Sequence, residues 1–300
     1  MQSVSTFFSR MEERSRDYRI DGIIFFLIAL VIIGHYIEPS RYSNRLSLYL
    51  YSLIYSFHMP LFVMISGYFC EKQTVKKIKQ FSFRMLEIVF AILFVKYLFL
   101  RPPILSLLFF DSNPLWFIIC LIYWKVYSFI LDEIGLSFVK QTMISFVLAI
   151  LGFCLINKYE GFLSISRAFQ FLPYFSLGRM HRHNPFRIRI VPSVLALVSA
   201  SILCILFSGR DLHLIEFQRD GLATLSGRIN QGYLICLLLK ALYWSLSIIV
   251  SFSIFEHFRF PTLFEKNGSK TLTIYVLQCY STPFVARLAN SFYCELFLLL

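Results

Sequence analysis

The residues best suited to chemistry lie at the end of the first apolar segment, where "RIDGIIFFLIALVIIGHYIEP" runs from Arg19 to Pro39. His35 follows the apolar run 22–34, and histidine is the side chain that accepts and returns a proton near neutral pH. Glu38 stands three positions later, so in a helix that persists to Pro39 its carboxylate would orient the imidazole and raise its basicity. Two interpretations stay open for His35: a general base, or a headgroup anchor at the membrane interface.

A second histidine lies inside the next apolar segment, "YSFHMPLFVMISGYF", which covers positions 55–69. Pro60 has no backbone N–H, so the carbonyl one turn earlier needs a donor from protein or water. His58, Ser66 and Gly67 therefore mark either a close helix–helix contact or the lining of a cavity. We regard His58 as a candidate substrate-binding residue.

Cations cluster beside the apolar segments. One cluster contains Lys72, Lys76, Lys77 and Lys79, and another is "GRMHRHNPFRIR" at 178–189. Such clusters orient a membrane protein and contact lipid headgroups, and they also attract an anionic cytosolic cofactor. Arg84 and Glu87 begin the third apolar segment: they pair with each other, or Arg84 faces a phosphate, which its planar guanidinium suits better than an ammonium does.

The elements that must position these side chains are membrane-spanning helices. Of the 300 residues, 57% are hydrophobic and only 15% are charged, and the mean hydropathy is +0.66. These values lie outside the range of soluble domains. A hydrocarbon core about 30 Å thick takes about 20 helical residues, so the chain accommodates about ten spans. The sequence predicts an all-α, polytopic bundle that forms a single membrane domain over residues 1–300.

Breaks in the apolar pattern give the expected position of each span. The spans lie near 20–37, 47–69, 85–100, 115–131, 141–156, 168–180, 190–208, 231–255, 271–286 and 288–300. Most Lys and Arg residues of the connections fall on one side of such a bundle. This bias predicts a cytoplasmic N-terminus, with residues 1–19 as a cytoplasmic segment.

Composition also excludes some classes of function. The net charge of +12 does not indicate a nucleic-acid-binding protein, because the basic residues flank apolar spans instead of forming a soluble basic face with interleaved aromatic residues. The seven cysteines lack the spacing of a metal site, and most lie in apolar runs as packing residues. We expect no metal and no nucleic-acid partner, and the sequence does not determine the oligomeric state.

The ordered set of motifs resembles one known family. Asp21 stands fourteen positions before His35, and "FHMPLFVMISGYF", a Lys-rich loop with Arg84, "NPLWFIICLIYW", "FLPYFSLGRMHRH" and "FEKNGSKTLTIYVL" follow in that order. This set is similar to the acyltransferase 3 family of integral membrane acyltransferases, and to its fucose 4-O-acetylase-like branch in particular. The resemblance covers about residues 16–286, and its specificity lies in the order of the motifs.

The resemblance implies roles for individual residues. His35 is the implied catalytic base, and Asp21 belongs to the same motif. Glu38 joins the candidate catalytic set through its spacing from His35. The cations expected to bind an acyl-CoA donor, with acetyl-CoA favoured, are Arg19, Arg84, Lys76 and Lys77. The candidate substrate-binding residues besides His58 are Trp116, Asn113, Asn267 and Tyr275.

Some positions depart from the family pattern. The family pattern usually has Lys and Gly within the positions that Ile23, Ile24 and Phe25 occupy here. Gln278 stands where many members have histidine. A glutamine amide hydrogen-bonds but does not take up a proton, so this position is not a second base. The departures leave open a divergent acceptor, a different acyl group or reduced activity.

The sequence therefore favours a membrane-bound O-acyltransferase that transfers acetyl from acetyl-CoA to a hydroxyl of a cell-surface or exported glycan. Its expected location is a bacterial cytoplasmic (inner) membrane, with several passes through the bilayer. Two alternatives stay open. One is a glycan or lipid transporter or flippase, since broken helices with polar groups also serve transport. The other is a catalytically weakened family member with a structural role.

Overall fold

The computed structural model describes residues 17–38, 40, 45–101, 115–156, 162–185, 195, 198–199, 202, 218, 220–261, 264, 273–275 and 277–278. The chain is all-helical within these residues. Its helices are α1 (Tyr18–Ile37), α2 (Arg45–Tyr68), α3 (Val75–Leu100), α4 (Trp116–Glu133), α5 (Phe138–Leu155), α6 (Ile165–His183), α7 (Leu222–Ile229) and α8 (Tyr233–His257). The expected spans at 190–208, 271–286 and 288–300 lie wholly or mostly outside the described residues.

Helices α1, α2, α5 and α8 are long and apolar enough to cross a membrane. α2 is the most enclosed of them, since 67% of its apolar window is buried, against 33% to 39% in the other three. It packs against α1, α6 and α8. α2 is therefore a central helix, and the other three present a larger part of their apolar surface to the surroundings, as lipid-facing helices do.

The long helices alternate in direction. Arg19, in the first turn of α1, donates a hydrogen bond to the carbonyl of Phe255 near the end of α8. The ring of Tyr68, the last residue of α2, lies 5.1 Å from the Phe255 ring and 4.9 Å from the guanidinium of Arg182 near the end of α6. The start of α1 and the ends of α2, α6 and α8 thus share one end of the bundle, the basic end. His35 lies towards the opposite end, the His35 end.

Two glycines bring the backbones of α2 and α6 into contact. A Cβ placed on Gly67 of α2 would lie 1.9 Å from the carbonyl oxygen of Phe175, and one placed on Gly178 of α6 would lie 1.9 Å from that of Met64. Only glycine fits at either position, as at close crossings of membrane helices. Of the two interpretations for Gly67, the structure shows the close helix–helix contact.

Pro60 leaves a carbonyl in α2 that another helix satisfies. The backbone N–H of residue 60 would bond to the carbonyl of Ser56, and proline lacks it. The hydroxyl of Ser247 in α8 donates to that carbonyl at 2.8 Å. The amide of Gln218 donates to the carbonyl of the preceding residue, Tyr55, at 2.5 Å. The need for outside donors that the sequence predicts near Pro60 is met by protein groups.

Candidate functional site

His35 and Glu38 meet at the end of α1. His35 Nδ1 lies 3.3 Å from Glu38 Oε2, with 21% and 34% of the two side chains exposed. A carboxylate accepts hydrogen bonds, so Nδ1 carries the hydrogen that points at Glu38, and in the neutral imidazole the lone pair is on Nε2. The arrangement is that of an oriented imidazole with a free basic nitrogen, which can accept a proton from a hydroxyl.

His58 lies one helix away, in the interior of the bundle. Only 2% of it is exposed, and its Nδ1 lies 2.7 Å from the carbonyl oxygen of Ile54, one turn earlier in α2. A carbonyl only accepts, so this ring also carries its hydrogen on Nδ1 and has its lone pair on Nε2. The ring of Tyr55 meets the His58 ring edge-on, with centroids 4.7 Å apart.

Gly34 brings the two histidines close together. A Cβ at Gly34 would lie 3.0 Å from Cε2 of Tyr55 and 3.6 Å from Cγ2 of Ile54, so the last turns of α1 rest on the turn of α2 that precedes His58. Two imidazoles that are far apart in the sequence thus belong to one region of the bundle.

Asp21 lies at the other end of the same helix. Fourteen residues at about 1.5 Å each separate it from His35 by about 21 Å along the axis of α1. The helix N-cap beside it is Asp17, whose carboxylate accepts from the backbone N–H of Arg19 at 3.0 Å. The structure therefore brings Glu38, and not Asp21, to the His35 imidazole.

The candidate cofactor cations Arg19, Lys76 and Lys77 lie at the basic end. Arg19 is held by the Phe255 carbonyl, and its guanidinium lies 5.3 Å from the Phe255 ring. Lys76 and Lys77 are exposed in the first turn of α3, where Thr74 caps the helix by accepting from the backbone N–H of Lys77 at 3.3 Å. These positive groups all lie at the same end of the bundle.

Arg84 lies farther along α3, and its side chain is exposed, as is that of Glu87. Among the residues that the structure describes, the two form no ion pair with each other, although a helix puts positions three apart on neighbouring sites. The ion-pair interpretation is therefore not supported, and the exposed guanidinium of Arg84 remains a candidate phosphate contact.

Two candidate substrate-binding residues, Trp116 and Tyr275, lie against the ring of Phe117. Trp116 precedes it at the start of α4, and the Tyr275 ring lies 6.1 Å from it. Phe62, one turn after His58 in α2, lies 5.1 Å from it. The guanidinium of Arg167 stacks 5.2 Å from the Trp116 ring. Asn113 and Asn267, the other two candidates, lie outside the described residues.

Lys240 is a buried polar centre that the sequence analysis above does not single out. It is 1% exposed, and its ammonium donates to Oε1 of Gln170 in α6. The rings of Phe153 and Trp244 lie 5.1 and 5.3 Å from the ammonium. An ionisable side chain within an apolar segment is itself the signal that could have singled it out, because such residues are costly in a membrane and face partners.

Two apolar grooves open on the sides of the bundle. One of about 480 Å³ lies between α5 and α8, and one of about 500 Å³ lies between α4, α5 and α6. The first is lined mainly by apolar side chains such as Ile150, Leu238 and Trp244. No group of three or more His, Cys, Asp or Glu side chains that could hold a metal ion is found among the described residues.

Comparison with known proteins gives one partial match. The chain is 42% identical over 57 residues to the nodulation protein NolL of Sinorhizobium fredii (strain NBRC 101917 / NGR234), a stretch that amounts to 18% of this chain and 16% of NolL. The match thus covers far less than two thirds of NolL. No protein-family profile matches the chain, and no solved structure matches it. Membership of the acyltransferase 3 family accordingly stays a prediction.

Proposed function

We propose that the chain is a membrane-bound O-acyltransferase that moves an acetyl group from acetyl-CoA to a hydroxyl of a cell-surface or exported glycan. The observation that carries the proposal is the contact between His35 and Glu38, 3.3 Å apart at the end of an apolar helix. The short match to NolL, a protein of bacterial origin, supports a bacterial source. The proposed location is the bacterial cytoplasmic membrane, crossed about ten times.

In the proposed reaction, His35 acts as general base. A sugar hydroxyl is a weak nucleophile at neutral pH, so its proton passes to His35 Nε2 while its oxygen attacks the thioester carbonyl carbon. The carbon–oxygen bond forms, the carbon–sulfur bond breaks, and the leaving thiolate takes the proton from the His35 imidazolium to give CoA-SH. Glu38 keeps the ring oriented and stabilises the imidazolium, as a carboxylate beside Nδ1 does. Trp116 and Asn113 are the proposed donors to the developing oxyanion.

The donor is proposed to bind from the basic end. Arg19, Lys76 and Lys77 surround that end, and their charges suit the phosphates of acetyl-CoA. Sixteen residues at about 1.5 Å each separate Arg19 from His35 by about 24 Å along α1. The acyl end of the donor must therefore pass through most of the bilayer thickness to meet a hydroxyl at the His35 end. Arg84, exposed along α3, is proposed to contact the acetyl-CoA donor between the basic end and His35.

Transfer of labelled acetyl from acetyl-CoA to glycan by the purified full chain tests the proposal. Changing His35 to alanine should lower the transfer rate by about 10²- to 10⁴-fold, the usual contribution of a general base. His257→Ala is the matched control, because that histidine is exposed at the end of α8 and should leave the rate unchanged. Equal rates for the His35 variant and the wild type would reject the base assignment.

A transporter or flippase is the second candidate, and the buried Lys240 beside the proline-containing helices α2 and α6 favours it. Reconstituted vesicles separate the candidates. A transporter would move glycan across the vesicle membrane without acylating it, whereas an acyltransferase would label glycan with acetyl. Binding of acetyl-CoA without either result would point to a weakened family member with a structural role.

A further inference from the structure

The acceptor side of the proposed site contains two hydrogen-bond acceptors of the same kind. His35 Nδ1 is engaged by the Glu38 carboxylate at 3.3 Å, and His58 Nδ1 by the Ile54 carbonyl at 2.7 Å. Each partner accepts, so each ring has its hydrogen on Nδ1. Both Nε2 atoms are therefore lone-pair acceptors, suited to receive the hydrogen of a hydroxyl.

These two acceptors lie on helices that touch at the turns concerned. Gly34, the neighbour of His35, packs on Tyr55 and Ile54, and the Tyr55 ring packs edge-on against the His58 ring at 4.7 Å. The absence of a side chain at Gly34 makes this approach possible, since a Cβ there would already be 3.0 Å from the Tyr55 ring. His35 and His58 therefore lie on neighbouring turns of two helices that touch.

We infer that the acceptor is a vicinal diol, with one hydroxyl at His35 Nε2 and the neighbouring hydroxyl at His58 Nε2. The inference rests on the proposed acyltransferase function and names its substrate class. His35 takes the proton of the attacking hydroxyl, whereas His58 only accepts a hydrogen bond and fixes which hydroxyl is presented. An acceptor without the second hydroxyl leaves a buried polar atom unpaired, which sites of this kind reject strongly.

Two substitutions separate hydrogen bonding by Nε2 from simple packing. In His58→Asn, the amide N–H takes the place of Nδ1 and donates to the Ile54 carbonyl, but no acceptor replaces Nε2. In His58→Gln, the amide oxygen reaches the place of Nε2. If His58 positions the acceptor, the asparagine variant loses function and the glutamine variant regains it. If His58 only fills space and bonds to Ile54, the asparagine variant is the better tolerated one.

The experiment uses the full chain in lipid nanodiscs, with labelled acetyl-CoA as donor and, as acceptor, surface glycan recovered from cells that lack the protein. We expect His58→Asn to raise the KM for glycan about tenfold or more, with the KM for acetyl-CoA unchanged, and His58→Gln to stay within about threefold of the wild type. NMR of the product should find the acetyl group on a sugar carbon whose neighbour carries a free hydroxyl. Thermal midpoints of both variants confirm that they are folded.

The outcomes distinguish this inference from the function on which it rests. If the wild type transfers no acetyl to any surface glycan, the proposed function fails, and the diol inference fails with it. If the wild type is active but His58→Asn matches it in glycan KM, or the acetylated hydroxyl has no hydroxyl neighbour, the function stands and the diol inference is overturned.

Discussion

Arg179 joins four segments of the chain through one guanidinium. It bonds to both carboxylate oxygens of Asp132 at 3.2 and 2.6 Å, to Oε1 of Gln141 at 2.8 Å and to the carbonyl of Cys70 at 3.1 Å. Its side chain is only 2% exposed. A buried charge in this position is tolerated because each of the three guanidinium nitrogens donates to an acceptor.

Removing this guanidinium should destabilise the protein strongly. Arg179→Leu leaves the Asp132 carboxylate buried without its cation, and breaking such a pair costs about 3–5 kcal/mol. The thermal midpoint of the full chain in detergent is the measurement. Arg182→Ala, which changes an exposed arginine in the same helix turn, is the control and should shift the midpoint far less. Equal shifts would show that the cluster contributes no more than surface charge does.

At this scale, sequence reasoning works where partners are close in the chain. The contact of His35 with Glu38 follows from their three-residue spacing, and the structure contains it. Arg179 and Asp132 are 47 residues apart, and Lys240 and Gln170 are 70 apart. No local pattern connects such pairs, because the packing of whole helices brings them together.

The close crossing of α2 and α6 depends on two glycines, which have no side chain. Gly67 and Gly178 each face a backbone carbonyl of the other helix at a distance that excludes a Cβ. Dispersion contacts between backbones and small residues are a main source of helix association in lipid, where the hydrophobic effect does not drive it. The short distance between α2 and α6 thus depends on Gly67 and Gly178.

Gly67→Ala should separate these helices and lower the unfolding midpoint markedly, because backbone atoms at 1.9 Å cannot move aside as a flexible side chain does. Gly227→Ala is a matched control in α7, where nothing lies within 4 Å of the added Cβ. A glycine-to-alanine change in an open helical site is neutral or stabilises by about 0.4–1 kcal/mol. The prediction fails if the two variants unfold at the same temperature.

The bounds of the helices show what apolar patterns can predict. The runs at 20–37 and 47–69 match α1 and α2 closely, because those helices are apolar almost throughout. The run expected at 85–100 begins ten residues after the true start of α3 at Val75. Its first turns are polar and cationic, and the helix starts where Thr74 provides an N-cap, which a count of apolar residues does not detect.

Cations are distributed unevenly among the residues that the structure describes. Arg19, Lys72, Lys76, Lys77 and Arg182 lie at or next to the basic end, whereas the His35 end holds the candidate catalytic pair. Cytoplasmic loops of membrane proteins are enriched in Lys and Arg, so we expect the basic end to face the cytoplasm. The all-helical class follows directly from composition, but the number of spans depends on residues beyond those that the structure describes.

Cysteine labelling in whole cells tests this orientation. In a variant without the seven natural cysteines, a membrane-impermeant maleimide should label Arg45→Cys, at the exposed start of α2, in intact cells. Lys72→Cys, exposed at the basic end, should react only after the membrane is permeabilised. The reverse pattern would place the basic end outside and contradict entry of the donor from the cytoplasm.

The hydrogen bond from Ser247 to Ser56 spans 191 residues of sequence. Ribosomes release the second helix long before they release the eighth, so a growing chain contains an unsatisfied peptide carbonyl in the bilayer for most of its synthesis. Correct insertion therefore requires a temporary donor, such as water or a polar surface of the insertion machinery. Products truncated before residue 247 should consequently be cleared by quality-control proteases faster than the full chain.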